Sequence, residues 1–266
     1  MKRMTLLKIA LFFTMCAPLA LYAQIVVVST SHFDLNSDSS PEEWLESETA
    51  YHENVIMKNE LIKNSTVLYH LYTEDNTEVI FATRYDSWED VEKADEKNNE
   101  LAKAAWPDEA ERKAFFRKQA SFYTTMHSDE IYSVLPNGKA FSAKPDSSMV
   151  YYVQKRRIAR MPEDGTRDEA ASLMKEFTEN VIQKNEAIQA YYPMRHMYGA
   201  DSRDYVEVFV LNSMADMEEM NANNNELIKS HWPDEDARKA FFEKLGKYFE
   251  SWHGDFIYSS EPTLMK

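Results

Sequence analysis

The sequence predicts an α+β protein made of one fold written twice: two ferredoxin-like β-α-β-β-α-α-β repeats, packed sheet against sheet into a barrel-like pseudo-dimer within one chain. Three observations carry this. The string WPDEAERKAFF at 106–116 returns as WPDEDARKAFF at 232–242. Sliding the chain against itself by 126 residues, without a gap, makes 34 of the 83 positions from Tyr51 to Ser133 identical. Each copy also spells the same succession of alternating apolar runs and helix caps. A period of 126 residues is far longer than that of stacked solenoid repeats, so the duplicated unit is a whole domain.

The first element is QIVVVSTS (24–31), a β-branched run of strand length. Ser40-Pro41-Glu42-Glu43 then opens a helix. The serine hydroxyl accepts from an orphan amide, proline suits the first turn, and Glu43 reaches back to the cap. Thr166-Arg167-Asp168-Glu169 offers the same chemistry in the second copy. VLYHLYT (67–73) and EVIFATRY (78–85) form a hairpin about Glu74-Asp75-Asn76. Ser87-Trp88-Glu89-Asp90 caps a second helix reaching about Ala104. Trp106-Pro107-Asp108-Glu109 stops it and starts a third, the acids sitting at the positive end of the new dipole. DEIYSVL (129–135) closes the unit as a strand. A four-stranded sheet with helices on one face needs its other face covered, and the second copy is the natural cover.

Residues 1–23 read as a secretory signal peptide: a basic start, about thirteen apolar residues, then Tyr22-Ala23 before Gln24. The expected product is exported, periplasmic or extracellular. The one cysteine, Cys16, falls in this leader, which excludes thiol catalysis and cysteine-ligated metals in the remainder. Losing Lys2, Arg3 and Lys8 takes the net charge from −15 to about −18. So acidic a surface argues against nucleic acid and against anionic membranes as partners. Only five glycines occur and no phosphate-cradling string is present. The first repeat is expected over 24–135 and the second over 149–261. Between them, PNGKAFSAKPDSS (136–148) reads as a linker.

The element order, the duplication and the closing H-x-D-x-I-Y string resemble the dimeric α/β-barrel superfamily in a fused two-copy form. That group includes antibiotic-biosynthesis-type monooxygenases, EthD-like and NIPSNAP-like proteins and haem-degrading monooxygenases. The resemblance implies a ligand between sheet and helices. It supplies no catalytic residues, since the members share no single set.

Two groups of residues stand out as candidates. His70 and His196 sit mid-strand in the hairpins, with Asn59 and Asn185 as expected helix neighbours and His52 one turn back. An imidazole beside an amide orients a substrate oxygen or serves as a base near neutral pH; the competing reading is a satisfied core hydrogen bond. His127-x-Asp129 and His253-x-Asp255 are acid–base pairs or structural turns, and their spacing matches no zinc motif. No metal site is expected. The favoured function is a small-ligand-binding or stress-type module without chemistry of its own. The alternative is a monooxygenase-like enzyme, cofactor-free or haem-dependent, with one pocket per repeat.

Overall fold

The computed structural model describes residues 24–266, so the expected leader lies outside the described residues. The first repeat runs β1 (Ile25–Phe33), α1 (Pro41–Tyr51), β2 (Asn64–Tyr72), β3 (Glu78–Tyr85), α2 (Trp88–Ala105), α3 (Glu109–Ala120) and β4 (Tyr123–Val134). The second runs β5 (Val150–Ile158), α4 (Arg167–Phe177), β6 (Ala190–Tyr198), β7 (Asp204–Leu211), α5 (Asp216–His231), α6 (Glu235–Gly246) and β8 (Phe249–Ser260). No helix among the described residues is long and apolar enough to cross a membrane.

Strand order is β4-β1-β3-β2 in one repeat and β8-β5-β7-β6 in the other, and every pairing is antiparallel. The repeats also join edge to edge, β2 with β8 and β4 with β6. The eight strands therefore close into a ring, which leaves no sheet edge unpaired. Alternation assigns each face its burial. Val26, Val28, Leu68, Val206 and Val208 point inward and pack with Tyr132, Met194 and Tyr258. Val67, Val79, Phe209 and Leu211 point outward under the helices.

The caps form as expected. Ser40 Oγ accepts from Glu43 N, and the Glu43 carboxylate accepts from Ser40 N. The duplicated WPDE string is a helix–helix corner. Asp108 and Asp234 cap α3 and α6. Arg112 and Arg238 each donate 2.8 Å hydrogen bonds to the carbonyls of Trp106 and Trp232, which end the preceding helices. Those indoles lie against Phe115 and Phe241, with ring centroids 4.0 and 4.2 Å apart.

Two features depart from expectation. The closing strands start at Tyr123 and Phe249, earlier than Asp129 and Asp255, because a bulge in β1 lets Phe33 pair with Tyr123 and the matching irregularity in β5 lets Ile158 pair with Phe249. Secondly, α1 and α4 each pass into a π-helical turn, His52–Ile56 and Thr178–Ile182. Met57 N donates to His52 O at 2.8 Å and Gln183 N to Thr178 O at 2.9 Å. The Asn54 and Asn180 side chains donate to the Ala50 and Glu176 carbonyls. This explains why Glu-Asn-Val-Ile recurs in both copies.

The segments after β4 and β8 are straps, each lying on the other repeat. Lys139 pairs through its backbone with Tyr191, and its Nζ reaches Asn185 O at 2.9 Å. Lys266 N donates to Ser65 O, and its Nζ donates to Ile56 O at 2.9 Å and Asn59 O at 2.6 Å. Both ammonium groups thus meet carbonyls at a helix C-terminus, where the dipole favours a cation.

Candidate functional site

Each repeat holds a cavity between its sheet and its helices, and the two are furnished differently. The first, about 490 Å³, lies among α1, α3, β2 and β3. Its polar groups come from the helical layer and from Tyr123, where β4 begins. Trp44 Nε1 donates to the Tyr123 hydroxyl at 2.6 Å, and that hydroxyl donates to Glu48 Oε1 at 2.8 Å. Gln119 Nε2 donates to Glu48 Oε2 at 3.1 Å. Burial raises the Glu48 carboxyl pKa, and the two donors oppose the rise.

His52 follows Glu48 by one helical turn, so both side chains share a face. It is 5% exposed, and its buried Nε2 has no hydrogen-bond partner among the described residues. Desolvation first, then the nearby Lys144 and Lys266, push its pKa down to about 4. The imidazole is therefore neutral at neutral pH. The π-helical turn begins at this residue, as it does at Thr178 in the second repeat, and so belongs to the shared scaffold.

The second cavity, about 300 Å³, takes its charged groups from the sheet instead, and its helical layer adds only the neutral Thr178, Asn221 and Asn224. Glu207, on β7, is buried and accepts from the Tyr191 hydroxyl at 2.6 Å. Burial raises its carboxyl pKa, against the pull of that bond and of Arg156, 3.9 Å away. Arg156 also stacks 3.8 Å over Phe249. Met174, Phe177, Met220, Phe242 and Leu245 form an apolar wall on the helical side.

The sequence candidates fall in several places. His52 lines the first cavity. Asn59 and Asn185 are fully buried and fully engaged elsewhere. Asn59 donates to Ala94 O and Asn98 Oδ1 and accepts from Leu61 N; Asn185 does the same with Met220, Asn224 and Ala187. They staple each π-turn to the following helix and have nothing left for a ligand.

The sequence left open which side His70 faces, and only a helix-facing ring would sit beside Asn59. Alternation places it on the side of Thr66 and Leu68, and its Nδ1 is taken by the Thr73 hydroxyl at 2.7 Å and by Thr73 N. His196 lies opposite Tyr132 on the same inner side of β6, its Nδ1 buried without a partner among the described residues. Neither histidine lines a sheet–helix cavity. His127–Asp129 and His253–Asp255 are exposed pairs within strands, 3.7 and 3.3 Å apart, rather than at helix–strand junctions. Asp129 accepts from Ser29, and Asp255 accepts from Tyr152 at 2.7 Å. Among the described residues no three His, Cys, Asp or Glu side chains are grouped to hold a metal ion.

Sequence reasoning missed Glu48, Tyr123, Gln119 and Trp44, and also Glu207 and Tyr191. A signal for them existed. In the 126-residue register Trp44, Glu48, His52, Gln119 and Tyr123 fall on Ala170, Met174, Thr178, Leu245 and Phe249. The whole polar cluster of the first repeat is absent from the second.

Haem asks for an axial donor and for cations at its carboxylates. The first cavity supplies His52 but no lysine or arginine among its lining residues, and it carries a carboxyl of its own. The second supplies Arg156 but no histidine. The residues of neither cavity fit haem, and no step below runs through it.

No protein-family model matches the chain, and no curated protein matches it. Solved structures do, over almost the whole length. A candidate monooxygenase from Fusobacterium nucleatum subsp. nucleatum aligns over 92% of this chain and 94% of its own, with a TM-score of 0.59 and 9% identity. An anthrone oxidase-like protein aligns over 90% and 92%, with a TM-score of 0.50 and 14% identity. A chlorite dismutase from Candidatus Nitrospira defluvii aligns over 91% and 93%, with a TM-score of 0.52 and 12% identity. At such identities the likeness establishes the α/β-barrel type of fold.

Proposed function

We propose that the chain is a fused two-copy α/β barrel acting as a monooxygenase-like enzyme without a bound cofactor, with its chemistry in the cavity of the first repeat. The observation that carries this is the buried, neutral His52 with a free Nε2 one turn from Glu48. The fold-level likeness to a candidate monooxygenase and to an anthrone oxidase-like protein supports it over a binding module without chemistry. Export follows from the leader sequence and belongs to the same proposal.

The proposed substrate is a small aromatic compound bearing an acidified C–H or O–H. An imidazole of pKa about 4 is always available as an acceptor but is a weak base. It therefore selects protons whose conjugate base is strongly delocalised, as in hydroquinones or a methylene between two aryl rings that is conjugated with a ring carbonyl. For such a methylene, His52 takes one proton. The carbanion gives electrons to dioxygen, and a carbon–oxygen bond forms. The protonated His52 returns its proton to the peroxide, and the O–O bond then breaks as the second C–H proton passes to the departing oxygen. One oxygen remains as the ketone and the other leaves as water. Tyr123 and Gln119 hold Glu48, which sets the polarity beside the imidazole.

The test is oxygen uptake with anthrone and with substituted hydroquinones, without additives. Uptake that disappears in His52→Ala is expected. Absence of uptake across such substrates returns the account to a binding module. A haemin titration giving a shifted Soret band that is lost in His52→Ala contradicts the cofactor-free reading.

A further inference from the structure

The inside of the barrel holds a third cavity, of about 350 Å³, separate from both sheet–helix cavities. Its body is apolar, with Val28, Ile80, Val206, Val208 and Phe256 on the walls. Arg84 of β3 projects into it. The Arg84 Nε is buried with no partner among the described residues, and the one side-chain contact of the guanidinium is a long 3.4 Å bond to Gln24. The cations of β5 have carboxylates: Lys155 is 3.6 Å from Asp204, Arg156 is 3.9 Å from Glu207 and Arg157 is 3.2 Å from Asp201, while Arg195 of β6 is exposed to solvent. No such pair includes Arg84 among the described residues.

The fold does not require an arginine there. Asn64 and Arg84 are cross-strand partners. Their counterparts in the second repeat, Ala190 and Val210, are also paired and are fully buried. A position the scaffold fills with valine in one copy carries an uncompensated guanidinium in the other. Arg84 is half-buried, with its Nε shut off from solvent, and a donor so placed without an acceptor is costly unless something supplies one. Acids at the cavity do not, being engaged elsewhere: Glu78 accepts from Tyr258 at 3.2 Å, and Glu130 accepts from Ala200 N. Tyr192, also on the wall, feels the Arg84 charge, which lowers its pKa against the larger rise from burial.

We propose that the barrel interior binds an amphipathic monocarboxylate, its carboxylate on the Arg84 fork and its apolar chain or ring along the valine-lined walls. A guanidinium presents two parallel donors that match a carboxylate. The volume suits a medium-chain acid or a single-ring aryl acid. Phe141 and Met265, from the two straps, border the cavity, and Lys144 Nζ joins the straps by donating to Met265 O at 2.7 Å. The acid is expected to enter beneath them.

The test is calorimetric titration of the full-length protein with decanoate and, as a neutral isostere, decanol. Saturable one-to-one binding of decanoate is expected, with decanol at least 30-fold weaker. Arg84→Val, which copies the second repeat, should weaken decanoate at least 30-fold. Val208→Trp, which fills the cavity, should abolish binding. His52→Ala should change it less than twofold, so this site stands or falls apart from the catalytic reading. No saturable binding, equal affinity for decanol, or an unaltered Arg84→Val overturns the proposal. The decanol comparison on unaltered protein keeps it decidable even where a variant fails to fold.

Discussion

The two sheet–helix cavities are built on one scaffold from opposite layers. In the first repeat the polar groups hang from the helices and β4: Trp44, Glu48, His52, Gln119 and Tyr123. The sheet beneath them offers Val67, Phe81 and Thr83. In the second repeat the helical layer carries no charge, with Met174, Phe177 and Leu245 beside the neutral Thr178, Asn221 and Asn224, and the sheet carries Tyr191, Tyr205 and Glu207. Only the first arrangement leaves a buried ring nitrogen unpartnered at its cavity. In the second, the carboxyl is closed off by tyrosine and arginine. What the copies share is scaffold, and what they do not share is where function belongs.

The largest effect should come from erasing that difference. Glu48→Met with His52→Thr writes the second repeat's residues into the first. Turnover should fall more than 100-fold, the scale on which a positioned acid–base group acts. The melting temperature should hold or rise, since replacing a buried polar cluster with packed apolar groups is often neutral or stabilising. A variant that retains turnover breaks the distinction between the cavities.

The staples, by contrast, should behave alike. Asn59→Ala and Asn185→Ala each strand a buried backbone amide and carbonyl, at a cost of about 2–3 kcal/mol. Urea denaturation should show near-equal losses, and a cost confined to one repeat contradicts a shared structural role.

The pH dependence of stability sharpens the contrast further. The unfolded chain takes a proton on His52 near pH 6.5, while the folded protein refuses it until about pH 4. The fold therefore loses stability as pH falls through that window, by on the order of 3 kcal/mol, and the loss then levels off. Glu48 acts in the opposite sense. Its raised pKa favours the fold at low pH, and that contribution is lost as pH rises past the unfolded carboxyl value and through the folded one. His52→Gln should remove the first slope and leave the second. Parallel curves of urea midpoint against pH for the two proteins contradict the buried neutral imidazole.

The smallest effect belongs to the surface pairs. His127→Ala and His253→Ala should each change stability by less than about 0.5 kcal/mol, as exposed ion pairs do. A loss of several-fold in turnover instead gives these pairs a part in the chemistry.

Much of the architecture was legible in the sequence because it is local. Ser40, Ser87 and Asp108 announce helix starts by chemistry that acts within one turn, and the 126-residue register transfers each reading to the other copy. The π-helical turns were not legible. They depend on Asn54 and Asn180 relieving carbonyls four residues back, which no apolar period reveals. The site was legible only at His52. His70 and His196 drew attention because they match across the repeats, yet matching marks scaffold. Their strand alternates apolar and aromatic residues on both faces, so its parity was undetermined until the register with β3 and β8 fixed it. Glu48 carries no local signal that sets it apart from the other acids of its helix. Its partner Tyr123 lies 75 residues away, and only tertiary packing brings them together.

The most direct test of the central claim is oxygen uptake by two variants side by side, His52→Gln and Glu207→Gln, on the aromatic substrate the unaltered protein turns over fastest. The account predicts a silent His52→Gln and a Glu207→Gln within threefold of the parent. An active His52→Gln beside a silent Glu207→Gln would contradict it and move the chemistry to the second repeat.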